Sequence, residues 1–438
     1  MAFMHPAIDA VFLVSVGILW LMIFYQLFYT YMGYLYRVRS LRELRAFQQM
    51  PDDQLPGVSI LIPAHNEELV IEKTLASMLE LEYPKDKLEI IVVNDGSTDA
   101  TAEIVERMAQ KDGCIKLFNV PADMSARGKS NALNLGLQEA QYEIIGIYDA
   151  DNTPEPKSLR YLVQNLIVNP KLAAAFGKFR TRNKRRNLLT RFINLETLSF
   201  QSMVQAGRYQ LFRIAILPGT NLIFHRRCYE EVGGWDEEAL TEETEFSIRL
   251  YEAGYEIKFV PYAVTWEEEP EQWSTWLRQR TRWVRGNFYV LRKFLLPSFK
   301  FKKLSLTFEL LQLFVLYYMF LFAILLSHIF FIACGLGWIS VLAPGPYFLV
   351  WVCAFLLFVA EVMIAASYED EVTPKNLGVA CLMYFTYCQA WIVLVFRAVW
   401  QEYFQKGKVH WEKTRRYASA EPAEPENEKG RSRKHRGS

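Results

Sequence analysis

Apolar residues are distributed unevenly along the chain. Residues 8–31, IDAVFLVSVGILWLMIFYQLFYTY, form one almost wholly apolar run. It is too long for the core of a signal peptide, and no small-residue cleavage site follows it. Three further runs occur late, at about 306–332, 347–367 and 377–400. Each reaches the ~20 residues that a helix needs to cross a hydrocarbon layer of ~30 Å. Between the first and second runs the pattern changes. Short apolar stretches such as VSILIPA, LEIIVVN, IKLFN and EIIGIY alternate with amphipathic ones such as LVIEKTLASMLEL and AEIVERMAQK. Strand–helix alternation at this spacing predicts a parallel sheet covered by helices on both faces. The pattern therefore divides the chain into a first span (1–36), an α/β domain (37–270), an amphipathic interfacial region (271–303), three further spans (304–404) and a tail (405–438). The stretch 188–205 is either a second interfacial helix or a buried one.

Composition changes this picture little. Of the 438 residues 51% are hydrophobic and 15% aromatic, which agrees with a membrane protein. The net charge of +1 gives no global field to attract nucleic acid, and none is expected as a partner. The six cysteines show no metal-ligand spacing and read as unpaired thiols. Charge is informative at the flanks. YRVRSLRELR follows the first run and RKFLLPSFKFKK precedes the second, so the positive-inside rule puts the α/β domain in the cytoplasm and the protein in the cell membrane. The basic tail also asks to be inside, which four full crossings would not allow. Its last ~20 residues have the composition of a disordered segment. Within the spans, Glu361 and Arg397 either pair, line a wet path or, for Arg397, snorkel to the interface.

In an open α/β sheet, ligands bind beyond the carboxyl ends of the strands. The polar clusters sit there: His65-Asn66-Glu67, Asn94-Asp95-Gly96-Ser97 and Asp149-Ala150-Asp151. Two aspartates two positions apart suit a hard divalent cation carrying phosphates, Mg²⁺ or Mn²⁺. They also suit two solvated turn residues. Gly128 and Lys129 precede a helix, and a lysine at a helix N-terminus can meet a diphosphate. WSTWLRQRTRWVRGNFYVLRKFL has the composition of a basic amphipathic helix on a membrane surface, with Trp273, Trp276 and Trp283 as interface residues.

The segments ILIPAHNEE, VVNDGSTDAT, GKSNALN, DAD, GGWDEEALTEETE and LRQRTRWVRGN occur here in one order. In that order the chain resembles the processive membrane synthases among family-2 glycosyltransferases, which make cellulose, chitin, hyaluronan and poly-N-acetylglucosamine; it is most similar to the last type in bacteria. The resemblance covers about 57–290, and its most specific element is the Gln-x-x-Arg-Trp pattern. It implies a GT-A domain inserted between transmembrane helices. The implied activity is that of an inverting hexosyltransferase, which polymerises a UDP-sugar into a β-linked exopolysaccharide and passes it through its own spans. UDP-GlcNAc is the first expectation and UDP-glucose the second. The resemblance further implies that Asp95 and the Ala64–Glu67 loop, with Asn66 and Glu67, line the nucleoside pocket. Asp149 and Asp151 would bind metal and donor, with Asp151 the more direct ligand. Lys129 and Arg282 would meet the diphosphate. Gln279 and the indole face of Trp283 would hold the acceptor sugar, and Gly219, Thr220 and Asn221 would shape its site, unless they form only a tight turn. A cyclic-dinucleotide sensor, if one acts, would be an accessory subunit. Two rivals share the nucleotide motifs: a single-transfer enzyme acting on a membrane lipid, and a non-catalytic membrane subunit.

One departure matters. The family pattern at Thr241 is Thr-Glu-Asp, with the aspartate as general base; here it is Thr241-Glu242-Glu243. The extra methylene moves a carboxylate by about 1.5 Å, and misplacement of that order can cost about 10²-fold. Glu243 is favoured as the base over Glu242, and both could instead be simple helix N-terminal carboxylates. Glu243→Gln is therefore expected to abolish transfer and leave UDP binding intact. Near-normal turnover in that variant, measured as sugar incorporation, would remove the assignment.

Overall fold

The computed structural model describes residues 6–301 and 303–405. The tail from 406 onward, expected to be basic and partly disordered, lies outside the described residues. Eight strands form one sheet: β1 Val58–Ala64, β2 Leu88–Asn94, β3 Ile115–Asn119, β4 Ile144–Ile147, β5 Thr153–Pro154, β6 Leu172–Thr181, β7 Leu222–His225 and β8 Glu256–Glu267. Their spatial order is β3-β2-β1-β4-β7-β6-β8-β5. The parallel expectation holds for β1 to β4. Beyond them the sheet is mixed: β6 and β8 run parallel, whereas β7 is antiparallel to both β4 and β6, and β5 antiparallel to β8. The chain reaches β7 through α6 (Leu188–Ser199) and α7 (Ala206–Phe212), a continuous helical stretch joined by a π turn at Phe200–Gln205. α6 packs mainly on the helices Tyr347–Ser367 and Pro374–Phe385, and the π turn and α7 mainly on the first span, so this stretch is not a crossover helix laid along the sheet and β7 is not bound to run parallel.

The domain's helices cover both faces. α2 (Ile71–Leu79), α3 (Thr101–Ala109) and α5 (Ser158–Val168) bury Leu75, Val105 and Leu162 against Ile60, Ile62, Ile90 and Val92. On the other face α4 (Lys129–Glu139) and α9 (Glu242–Glu252), with the short α8 (Arg226–Val232) beside them, set Leu133, Leu137 and Phe246 against Leu61, Ile91 and Val93. Alternate residues of β1 and β2 thus face opposite cores, which explains why both strands read as continuous apolar runs.

The second face is also where the membrane base attaches. α1 (Pro6–Arg45) has 40 residues, so it is about 60 Å long and outruns a bilayer. It continues past the expected boundary at 36 into the domain. Tyr36 is 1% exposed, donates its hydroxyl to the Phe259 carbonyl, and stands 5.1 Å from the Tyr209 ring. α10 (Trp273–Phe294) sends Val290 and Phe294 into the same core. Its other side joins α6, α13 (Tyr347–Ser367), α14 (Pro374–Phe385) and α15 (Tyr387–Phe404) in a third core built on Trp276, Val284, Phe288, Val362 and Leu394. α10 is therefore a middle layer rather than a helix lying free on a surface. Trp276 is a core residue, not an interface one: it is 1% exposed, and its indole N–H donates to the Tyr387 hydroxyl at 2.8 Å. The stretch 188–205 is likewise mostly buried.

Among the described residues four helical segments are long and apolar enough to cross a membrane: Pro6–Arg45, Leu304–Gly335, Tyr347–Ser367 and Pro374–Phe404. The second is α11 (Leu304–Phe314) and α12 (Leu321–Gly335) joined by a π turn at Val315–Phe320, and the fourth is interrupted at Thr386. The loop after α13 docks on the domain: Glu369 pairs with Lys178 and Arg180, and Glu371 meets Lys184 at 2.7 Å. Glu361 accepts a hydrogen bond from Thr30, while Arg397 is exposed, so the two do not form a pair. Removing the Tyr36 ring should disconnect α1 from the sheet. Tyr36→Ala is expected to cost about 3–5 kcal/mol and Tyr36→Phe only about 1 kcal/mol, read by thermal unfolding in detergent; equal melting of both variants and the wild type would contradict this packing.

Candidate active site

The strand ends position the loops first. At β1 the Ala64 carbonyl accepts the Asp95 amide at 2.9 Å, which ties the β1 and β2 loops together. Asn66 adopts a left-handed conformation, φ 57°. Its amide donates to Ser97 Oγ at 2.9 Å, and its Oδ1 accepts from the Thr98 amide at 2.7 Å. Glu67 is buried, with its amide on Thr101 Oγ1 at 2.7 Å and its carbonyl capping the start of α2. The carbonyl of Asp95 accepts from His65 Nδ1 at 2.7 Å, and its carboxylate accepts from the Ala126 amide at 2.7 Å. Burial raises the Asp95 pKa, while the Ala126 and Gly128 amides and His65 oppose the rise.

Lys129 is the first residue of α4. Its Nζ donates to Asp149 Oδ1 at 2.9 Å, to the Gly219 carbonyl at 2.6 Å and to Glu243 Oε1 at 3.0 Å. One ammonium thus gathers the end of β4, the turn before β7 and the start of α9. Burial alone would lower its pKa; Asp149 and Glu243, with Glu242 behind them, outweigh burial and hold it well above the ordinary value. Gly219 allows the approach: a Cβ there would stand 3.2 Å from both Glu243 Oε1 and Lys129 Nζ. The two aspartates are separated electrically. Asp149 lies on Lys129, whereas Asp151 is buried and accepts the Glu268 amide at 3.3 Å. Glu242 is buried beside Glu243. Burial first, and Glu243 second, push its carboxyl up to about 8, against the pull of Lys129 and Arg282.

Thr220 and Asn221 serve the frame. Thr220 Oγ1 accepts the Asp149 amide at 3.0 Å and donates to Asn152 Oδ1 at 2.8 Å. The fully buried Asn221 donates its side-chain amide to the Lys178 and Ala263 carbonyls at 3.1 and 3.0 Å, bridging β6 and β8. α10 closes the site. A Cβ on Gly286 would lie 2.4 Å from Thr241 Cγ2, so glycine permits α10 to cross α9 closely. Arg282 Nη1 donates to the Leu240 carbonyl at 3.2 Å, just before the glutamate pair. Gln279 Oε1 is buried without a hydrogen bond, and Trp283 is 36% exposed.

This sheet, with its acidic and basic groups at the strand ends, matches the family model for glycosyltransferase-like family 2 over residues 56–286. The chain belongs to family 2 of the glycosyltransferases. A probable glycosyltransferase of Bacillus subtilis, YdaM, is 44% identical over 93% of this chain and 98% of its own length. Poly-β-1,6-N-acetyl-D-glucosamine synthases of Staphylococcus epidermidis and Staphylococcus aureus are 36% and 32% identical, over 58% and 62% of this chain and 60% and 65% of theirs. The chain therefore spans a little under two thirds of those synthases. Among solved structures, the mannosyltransferase PcManGT of Pyrobaculum calidifontis, in complex with GDP-Man and Mn²⁺, has a TM-score of 0.60 at 20% identity over 91% of this chain and 100% of that one. The fold is GT-A-like, and the enzyme is a transferase.

Several residues that frame the transferase site were not among the candidate site residues. Arg182 Nη2 donates to the Asp151 carbonyl at 2.9 Å and to Thr153 Oγ1 at 2.8 Å. Glu245, 0% exposed, is gripped by Arg249 at 2.6–2.9 Å and by Lys293 at 2.8 Å. Lys293 also holds Asp236 at 2.8 Å, which ties α9, α10 and the GGWD turn into one unit. The four-residue spacing of Glu245 and Arg249 was the available sign; for Arg182 there was none.

The Glu242 shift has a consequence for stability. The folded protein holds this proton more tightly than the unfolded chain, so the contribution is complete below pH 4.5 and is lost as pH rises through about 8. Glu242→Gln keeps a neutral side chain at every pH. It is expected to melt higher than wild type at pH 8 and to lose that advantage at pH 4.5–5; a constant offset across this range would contradict the buried, protonated carboxyl.

Proposed function

We propose that the transferase is processive and inverting, and that it extends a β-linked polysaccharide from a UDP-sugar, UDP-GlcNAc before UDP-glucose. The observation that carries this reading is the shared ammonium of Lys129, which sets a candidate base, Glu243, against a candidate donor-site carboxylate, Asp149. Asp95 and the Ala64–Glu67 loop hold the nucleoside. Lys129 and Arg282 meet the diphosphate. Gln279 offers its unused acceptor, and Trp283 its exposed ring, to the growing chain. Gly219 borders the acceptor position, while Thr220 and Asn221 fix the turn that presents it. The synthase names among the relatives support a polymer product.

Asp149 and Asp151 fit a divalent cation. Among the described residues no group of three or more His, Cys, Asp or Glu forms a metal cage. Two carboxylates suit Mg²⁺ or Mn²⁺ whose remaining ligands are phosphate oxygens and water. When bound, such an ion stabilises the charge on the departing diphosphate. The chain's own part is acid–base and positional. Glu243 takes the proton of the acceptor hydroxyl, that oxygen bonds to the anomeric carbon, and the bond to the UDP oxygen breaks with its electron pair leaving on UDP. Attack from the opposite face inverts the centre. Glu242, neutral below about pH 8 by burial, adds no second negative charge to the base. The basic flanks support a cytoplasmic position for this chemistry, with the bilayer as partner and an accessory subunit as the site of any regulation.

The test uses the full chain in lipid nanodiscs with Mg²⁺ or Mn²⁺ and with UDP-GlcNAc, UDP-glucose, UDP-GlcA and UDP-GalNAc in turn, following UDP release and product size. A long polymer from UDP-GlcNAc is expected. A single sugar on lipid, or no product from any UDP-sugar, would overturn the reading.

A further inference from the structure

Within the Gln-x-x-Arg-Trp pattern, the arginine that follows the glutamine, Arg280, has no role yet. Arg280 is 3% exposed, and its guanidinium lies over the Trp283 ring with Cζ 3.9 Å from the centroid. Its Nη2 donates to Glu196 Oε2 at 2.9 Å. Glu196, on α6, is held from α15: Tyr387 Oη donates to Oε2 at 2.8 Å, and Trp391 Nε1 donates to Oε1 at 3.1 Å. Tyr387 is itself fixed by the Trp276 indole. Three elements, α6, α10 and α15, therefore converge on one carboxylate, and the cation it holds is stacked on an exposed indole.

A desolvated cation over a ring face is attracted by the ring quadrupole, which favours one ring orientation over its neighbours. Trp283 is partly exposed, and the Arg280 guanidinium covers a face of its ring. Arg280 is held in turn by Glu196, and removing either member of a buried pair strands the other. We propose that Arg280 is a positioning residue for Trp283, clamped by Glu196 and through it by Tyr387 and Trp391 of α15, so that the last helix sets the plane on which the acceptor sugar rests. This rests on the acceptor role given to Trp283 above. The bland alternative is an ion pair that only holds three helices together.

The two roles separate in a double-mutant cycle. Full-length protein in nanodiscs is prepared as wild type, Arg280→Lys, Glu196→Gln, Trp283→Ala and Trp283→Ala/Arg280→Lys. Transfer to acceptor, donor hydrolysis to water and the melting temperature are each measured. Lysine keeps a charge but not the planar stack and fork. Transfer in Arg280→Lys and Glu196→Gln is expected to fall at least tenfold, through a raised KM for acceptor, with donor hydrolysis and its KM within about twofold of wild type. In the Trp283→Ala background, Arg280→Lys should add less than a twofold loss. Parallel loss of transfer and hydrolysis, multiplying losses in the double variant, or unchanged transfer in Arg280→Lys would each overturn the proposal while wild-type transfer stands. A wild type that hydrolyses donor but transfers to nothing would overturn the functional reading and this inference together.

Discussion

The site depends on one partly buried ammonium. Lys129 lies where three unconnected pieces of chain arrive: the end of β4 with Asp149, the turn at Gly219 and the start of α9 with Glu243. Three carboxylates in a low-dielectric cleft would repel one another strongly. A single central cation makes Asp149 and Glu243 tolerable, and the remaining charge is avoided by leaving Glu242 protonated. Gly219 is small so that the approach can occur, and Thr220 and Asn152 hold the Asp149 loop in reach. Much of the surrounding geometry serves this contact.

Around that centre, the domain and the membrane base are one construction. The face of the sheet carrying α4 and α9 is completed by Tyr36 of α1, Val290 of α10, and Leu306 and Leu310 of α11. The other side of α10 is buried among α6, α13, α14 and α15. α10 therefore has one side in contact with the catalytic elements and one with the candidate spans. Its charged groups reach both sides, Arg282 and Lys293 bonding to Leu240 and Glu245 of the catalytic elements and Arg285 to Glu402 of α15, and its apolar groups divide between the two cores. A change in the packing of the last helices can be felt at the cleft through a single layer of side chains.

Much of this was legible in the sequence. β1, β2 and β4 stood out because both faces are buried and their residues are almost all apolar; the acidic and basic groups stood out because they follow those strands. The antiparallel β7 was not legible, since strand direction follows from where α6 and α7 bring the chain and not from the composition of LIFH. The depth of α10 was misjudged for a related reason. Its arginines suggest a wet surface, but Arg280 is neutralised by Glu196, 84 residues away in sequence. Asn221 was expected at the acceptor site from the family resemblance of its stretch, and nothing local shows that its side chain bridges β6 and β8. Long-range pairings of this kind, including Arg182 with the Asp151 loop, leave no local trace.

The most direct measurement of the central claim is UDP binding and sugar transfer by Lys129→Met, whose side chain matches the lysine stem in shape without its charge. The protein should remain folded, bind UDP at least tenfold more weakly by calorimetry with Mg²⁺ or Mn²⁺ present, and show no measurable transfer. A Lys129→Met protein that binds UDP and transfers sugar as the wild type does would contradict the account at its centre.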